Sequence, residues 1–247
     1  MNGGVTVVTG GGSGIGRATA RAFADTGARV VICGRRGDAL AETASSHPDQ
    51  IVAVTADITS PGGIEALLGA IGDEPVNCLV NNAGAFRFTP SDHYDDDLAH
   101  EIINVNLLAP AAVVAALGSK LRTPGGVIVN VSSRGGHNPS PGSALYGAAK
   151  AGLDSLTATW AAELAPSGIR VCGVAPGFVH TEAYQAAGMP REEVPSFMEA
   201  MAHTVPLGAV AEPEMVAAWI VWLISFDSRL VTGVTVTIDG GLDLVRK

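Results

Sequence analysis

A dense run of glycines near the start limits what this chain can become. Residues 5–24 read VTVVTGGGSGIGRATARAFA. A β-branched run from Val5 ends at Thr9, and Gly10, Gly11, Gly12, Gly14 and Gly16 follow closely. From Ile15 the alanine-rich sequence has the composition of a helix. Strand, glycine turn and helix in that order let backbone approach a phosphate, and the helix start offers free N–H groups and a positive dipole end. Gly10, Gly12, Ser13, Gly14, Ile15 and Gly16 are therefore the candidate cradle for the pyrophosphate of a dinucleotide. An ordinary βα turn can have the same composition, so the rest of the chain has to decide.

Six more strand-like runs follow, at 28–34, 50–56, 76–81, 126–132, 169–175 and 234–238. Nearly all are continuously apolar rather than alternating, the pattern of parallel strands covered by helices on both faces. Helical stretches are expected at about 15–26, 37–46, 61–72, 95–122, 144–165 and 212–226, with a less regular piece at 181–205. This alternation predicts an α/β fold: a single-domain, doubly wound parallel sheet (a Rossmann fold) of about seven strands spanning 1–247. No linker, charge block or short-period repeat divides the chain, and 247 residues with 47% hydrophobic content suit one sizeable core.

The net charge of −9 argues against nucleic acid and anionic membranes as partners. The longest apolar run, 215–224, falls far short of the ~20 residues of a membrane span, and no room is left for a leader before the first strand. Cys33, Cys78 and Cys172 each sit in an expected strand with no metal-ligand spacing. They read as small buried hydrophobes in a reducing cytoplasm, and no metal is expected.

In a doubly wound sheet, ligands lie beyond the carboxyl ends of the strands. The second strand ends Cys33-Gly34-Arg35-Arg36, with no carboxylate for a ribose diol. Arg35 and Arg36 instead offer charged forks suited to a 2′-phosphate, so NADP(H) is expected over NAD(H). The third strand leads to Asp57 and Ile58, where Asp57 either meets adenine or caps the next helix. The fourth ends Asn81-Asn82-Ala83-Gly84, whose amides suit bonding to neighbouring backbone. Asn106 is a polar amide among apolar neighbours. Pro110, four residues on, leaves its carbonyl without an α-helical donor, so the helix is expected to open there.

The fifth strand delivers Ser132-Ser133, and Tyr146 and Lys150 follow at i and i+4, on one face of a helix. A nearby ammonium and a cationic nicotinamide ring favour the phenolate. Lowering a phenol by roughly three units takes about 4 kcal/mol, at about 1.4 per unit. TGxxxGxG from Thr9, the Asn-Asn-Ala-Gly turn, Ser133 and YxxxK from Tyr146 occur in order over nearly the whole chain. On these motifs it resembles the short-chain dehydrogenase/reductase family.

That resemblance implies an oxidoreductase interconverting a carbonyl and a secondary alcohol. Tyr146 would be the general acid or base, Ser133 would hydrogen-bond the substrate oxygen, Lys150 would lower the Tyr146 pKa and hold the nicotinamide ribose, and Asn106 would hold a relay water. Pro176, Gly177, Val179 and Thr181 match the family motif that holds the carboxamide, and Asn82, Ala83 and Gly84 its cofactor edge. Many NADP-using relatives carry a second basic residue in the glycine turn, where this chain has Ser13. Residues 182–207 would form a substrate lid, with Tyr184, Met189, Phe197, Met198 and Met201 either covering a hydrophobic carbonyl compound or packing on the sheet. His137 is the histidine better placed to touch substrate, and His180 reads as a loop residue. Relatives commonly form homo-oligomers, tetramers or dimers, and Trp219, Trp222 and Leu223 fit either such an interface or the core. The alternatives are a 3-oxoacyl-thioester reductase, an NAD-dependent alcohol, sugar or steroid dehydrogenase, and a non-catalytic dinucleotide sensor. A methyltransferase is disfavoured by Gly34 at the end of the second strand.

Overall fold

The computed structural model describes residues 3–245. Among them, seven parallel strands form one sheet in the order β3-β2-β1-β4-β5-β6-β7. The strands are β1 (Val5–Thr9), β2 (Arg29–Gly34), β3 (Ile51–Thr55), β4 (Val76–Asn81), β5 (Val127–Val131), β6 (Arg170–Pro176) and β7 (Thr235–Ile238). The connecting helices are α1 (Gly14–Asp25), α2 (Gly37–Ser45), α3 (Pro61–Ile71), α4 (Asp96–Ile103), α5 (Ala109–Leu117), α6 (Ala144–Leu164), α7 (Ala183–Ala186), α8 (Val194–Ala202) and α9 (Pro213–Ile224). The doubly wound α/β architecture expected from the apolar runs is the one that forms.

Successive strand residues point to opposite faces, so each strand feeds two cores. Val7, Val31, Leu79 and Ile128 pack with residues of α3, α5 and α6 such as Leu67, Val113 and Ala161. Val8, Ile32, Val80 and Val129 pack with Phe23 of α1 and Val216, Ile220 and Leu223 of α9. The two outer strands depart from the expectation of full cover: Val52 and Ala53 of β3 are exposed, and β7 is only half-buried. An outer strand has one neighbour, which leaves its free flank to solvent. On α9, Leu223 belongs to the core, whereas Trp219 and Trp222 are exposed, edge to face at 5.8 Å between ring centroids. Cys33, Cys78 and Cys172 are free and buried, and burial pushes the Cys33 thiol up to about 12.

The single helix expected at 95–122 is instead interrupted. After α4 comes a π turn at Asn104–Leu108, with the Ala109 amide donating to the Asn104 carbonyl five residues back, and α5 stops at Leu117. Pro110 has no N–H to continue an α-ladder, which accounts for the wider turn at this place. By length and composition the 96–117 stretch is apolar enough to cross a membrane. Here Ile102, Ala109, Val113 and Leu117 are buried within the protein.

The strand order reverses between β1 and β4, opening a crevice at their carboxyl ends. Thr9 closes its base. Its Oγ1 accepts from the amides of Asn82 and Ala83, both at 3.0 Å. The Asn82 side chain donates in return to the carbonyls of Thr9 (2.9 Å) and Gly10 (3.2 Å). Behind it, buried Asn81 donates to Asn130 (2.9 Å), which donates to Thr157 on α6 (2.8 Å). This amide chain crosses from β4 to β5 to the helix that carries Tyr146 and Lys150.

Candidate active site

A cavity of about 1040 Å³ runs along the carboxyl ends of the strands. At one end it is lined by Gly10, Gly12, Ser13, Gly14 and Ile15, by Arg35 and Arg36, and by Asp57 and Ile58. Further along come Asn82, Ala83 and Gly84, then Asn106, Ser133, Tyr146 and Lys150, facing Pro176, Gly177, Val179 and Thr181. Of the residues expected to hold the cofactor or carry the chemistry, Gly16 does not line it. A Cβ at Gly16 would lie 2.2 Å from the Gly10 carbonyl oxygen, so its hydrogen lets α1 pack directly on the turn.

The glycine turn is tied on both sides. The amides of Gly10 and Gly11 donate to the Cys33 carbonyl. The Arg17 guanidinium donates to the Gly12 carbonyl at 2.7 Å. Ser13, which precedes α1, makes no side-chain cap; its Oγ accepts from Arg36 Nη2 at 2.9 Å, bringing a cation from the end of β2 to the turn. The Gly14 amide donates to Glu182 Oε2 at 3.1 Å. Sequence reasoning missed Glu182; an acid directly after Thr181, beyond the end of a strand, was the available signal.

Asp57 turns out to be neither the helix cap nor free of partners. Its Oδ1 accepts from the hydroxyl (2.7 Å) and amide (3.0 Å) of Thr59, and these bonds, aided by Arg35, hold the carboxyl below its ordinary value. The cap of α3 is Ser60, whose Oγ accepts from the Gly63 amide at 3.1 Å.

At the other end, Ser133 leaves β5 and its Oγ accepts from the Gly135 amide at 3.1 Å. Half-buried Tyr146 lies against it. Burial pushes the phenol above its usual value, opposed by the Ser133 hydrogen bond. Lys150 is 4% exposed; its Nζ donates to the Val131 carbonyl at 2.8 Å and lies 5.8 Å from the centroid of the Tyr146 ring. Burial pushes this ammonium down to about 8, against the pull of Asp154. Desolvation is the largest influence on both groups, and the ammonium donates to the Val131 carbonyl.

Asn106 is fully buried and is held by its side chain. Its Nδ2 donates to the carbonyls of Ala85 (2.8 Å) and Ile102 (2.9 Å), while Oδ1 has no partner among the described residues. Gly84 separates Oδ1 from Lys150: a Cβ there would lie 2.7 Å from Asn106 Oδ1 and 3.6 Å from Lys150 Nζ. A side chain at 84 would fill that gap.

His137 does not line the cavity; its Nε2 lies 3.0 Å from Asp243 Oδ2. Asp243 also accepts from Arg134 Nε (2.7 Å) and Asn138 (2.9 Å). Burial works against its charge, but those bonds keep the carboxyl below its ordinary value. His137 is drawn to this carboxylate and away from the cavity. Met198 is 1% exposed and packs inside, because the short helix α8 turns it inward; Tyr184, Met189, Phe197 and Met201 do line the cavity. Residues 181–205 are more regular than expected, forming α7 and α8. His180, as expected, sits exposed on a loop, 3.8 Å from Glu212.

A doubly wound sheet with a glycine turn at its switch point defines the class of dinucleotide-binding α/β proteins. A family model described as enoyl-(acyl carrier protein) reductase matches residues 10–243. The chain is 37% identical to L-xylulose reductase of Bos taurus, over 95% of this chain and 94% of that one. It resembles a Caenorhabditis elegans short-chain dehydrogenase/reductase of unknown function solved with cofactor, at TM-score 0.92 and 35% identity over 98% and 96% of the two chains. A 3-ketoacyl-(acyl-carrier-protein) reductase of Brucella melitensis, complexed with NADH, matches at TM-score 0.84 and 29% identity over 97% and 98%. This chain belongs to the short-chain dehydrogenase/reductase family and is an oxidoreductase.

Proposed function

We propose that the enzyme interconverts a ketone and a secondary alcohol, using NADP(H) in preference to NAD(H). One observation carries this reading: Ser133, Tyr146 and Lys150 meet in the same cavity as the glycine turn. The residues fit a dinucleotide. Gly10, Gly12 and Gly14 carry no side chains of their own, Gly84 leaves a cradle that a Cβ would fill, and the buried Asn106 Oδ1 lacks a partner among the described residues. The Gly14 amide, bonded here to Glu182, is a donor the pyrophosphate would have to take over. Gly10, Gly12, Ser13, Gly14 and Ile15 would hold the pyrophosphate, Asp57 and Ile58 the adenine, and Asn82, Ala83 and Gly84 the cofactor edge. Pro176, Gly177, Val179 and Thr181 would hold the carboxamide. The nucleotide choice rests on Arg35 and Arg36, exposed at the end of β2 with Arg36 bonded to Ser13.

When bound, the nicotinamide supplies the hydride for reduction or takes it in oxidation. The chain's own groups manage the oxygen. Tyr146, kept protonated by burial, gives its phenolic proton to the carbonyl oxygen, and Ser133 donates a hydrogen bond to the same oxygen as its charge grows. The Lys150 ammonium then stabilises the phenolate left behind, and Asn106 holds a water linking Lys150 to solvent.

Tyr146→Phe removes the transferable proton and little else. NADPH oxidation with a ketone should fall by about two to four orders of magnitude while the NADPH Kd from fluorescence titration stays within about twofold. Turnover that survives the substitution would refute Tyr146 as the acid.

A further inference from the structure

We propose that the ketone taken by this site carries a flat, apolar ring system beside its carbonyl, an aryl or fused-ring ketone rather than an open-chain sugar or a linear acyl chain. The inference rests on the ketone reductase reading above and deepens it. Two sets of aromatic side chains line the cavity around Tyr146. Phe86 and Phe88 follow β4; Phe86 meets Tyr146 edge to face at 5.2 Å (88°) and Phe88 at 5.2 Å (72°). Phe178 follows β6 and meets Phe197 edge to face at 6.0 Å (85°), and Tyr184 meets Phe197 at 5.3 Å. In the sheet β5 lies between β4 and β6, and β5 delivers Ser133. The residue that would hold the carbonyl oxygen therefore lies between two aromatic walls.

The rings order one another, so a planar guest meets surfaces already in place, and aromatic pairs of this kind contribute beyond the area they bury. Polar side chains around them are largely engaged with the protein. Arg134 is bonded to Asp243, the Ser143 hydroxyl donates to the Ser140 carbonyl, and Thr181 Oγ1 accepts from the Ala183 amide. Asn104, Ser140 and Gln185, all exposed, remain together with the Tyr184 hydroxyl. A polyol would lose water around several hydroxyls for few replacements, and each unpaired one costs affinity. A saturated chain would fill space without using the ring faces.

The test compares kcat/KM, with NADPH, for β-tetralone, a straight-chain methyl ketone of equal carbon number, L-xylulose and acetoacetyl-CoA. β-Tetralone should exceed each of the others by about tenfold or more, the size expected of one or two aromatic contacts. Phe197→Leu keeps the apolar bulk and removes a ring; it should cut that preference to within about threefold while leaving the NADPH Kd unchanged. Equal or better turnover of any of the other three overturns the ring reading and leaves the oxidoreductase reading standing, as does a preference indifferent to Phe197→Leu. NADPH binding with no turnover on all four overturns both.

Discussion

Burying the Lys150 ammonium has a cost that can be measured apart from activity. The folded protein holds this group at about 8, against 10.5 for the free side chain, with desolvation the main cause. That difference corresponds to about 3 kcal/mol, at about 1.4 kcal/mol per unit. Because the folded value lies below the unfolded one, the unfolded chain binds more protons between the two, and stability rises with pH there. The contribution is fully present above about pH 10.5 and is lost as pH falls through about 8. Lys150→Met removes the titrating group while keeping a long apolar side chain in the space. Urea unfolding of both proteins without nucleotide, at steps from about pH 7 to about pH 9.5, cancels the titrations they share. Over that range the original protein should gain about 2 kcal/mol relative to the variant. A difference flat to within about 0.5 kcal/mol, or one that moves the other way, would show that Lys150 is not held in a desolvating site and would refute the reasoning.

Two further substitutions test the nucleotide end. Arg35→Ala should weaken NADPH binding by about tenfold or more and NADH by less than about threefold, read by fluorescence titration; equal losses would remove the basis for preferring a 2′-phosphate. Asn82→Ala leaves the Thr9 and Gly10 carbonyls without the donors seen at 2.9 and 3.2 Å and should cost about 1–3 kcal/mol in urea unfolding, so an unmoved midpoint would count against Asn82 as the tie between β1 and β4.

The sheet was legible because parallel strands buried on both faces are mostly apolar; β1, β4 and β5 are buried along their whole length, with their few amides and hydroxyls inside, whereas the outer strands β3 and β7 are only partly buried. Tyr146 and Lys150 were legible together because one helical turn separates them. Trp219 and Leu223, at i and i+4, share a helix face, so helical phase alone did not show that Leu223 is buried while Trp219 stays exposed. Other features depend on partners distant in the chain. Nothing near His137 announces Asp243, and nothing near Gly14 announces Glu182. Pro110 announced an opening near Asn106 without saying that the amide side chain would donate to the Ala85 carbonyl.

The ties that hold the glycine turn differ greatly in sequence reach. Arg36 reaches Ser13 across 23 positions, whereas Glu182 reaches Gly14 across 168. Closing the longer loop costs about 2 kcal/mol more chain entropy. The nucleotide end of the cavity is thus held by ties both within the first two strands and their turns and to distant chain. The contact that seals the turn against the segment after β6 therefore has to repay the larger entropic cost, and it ties the glycine turn to chain that lies beyond β6.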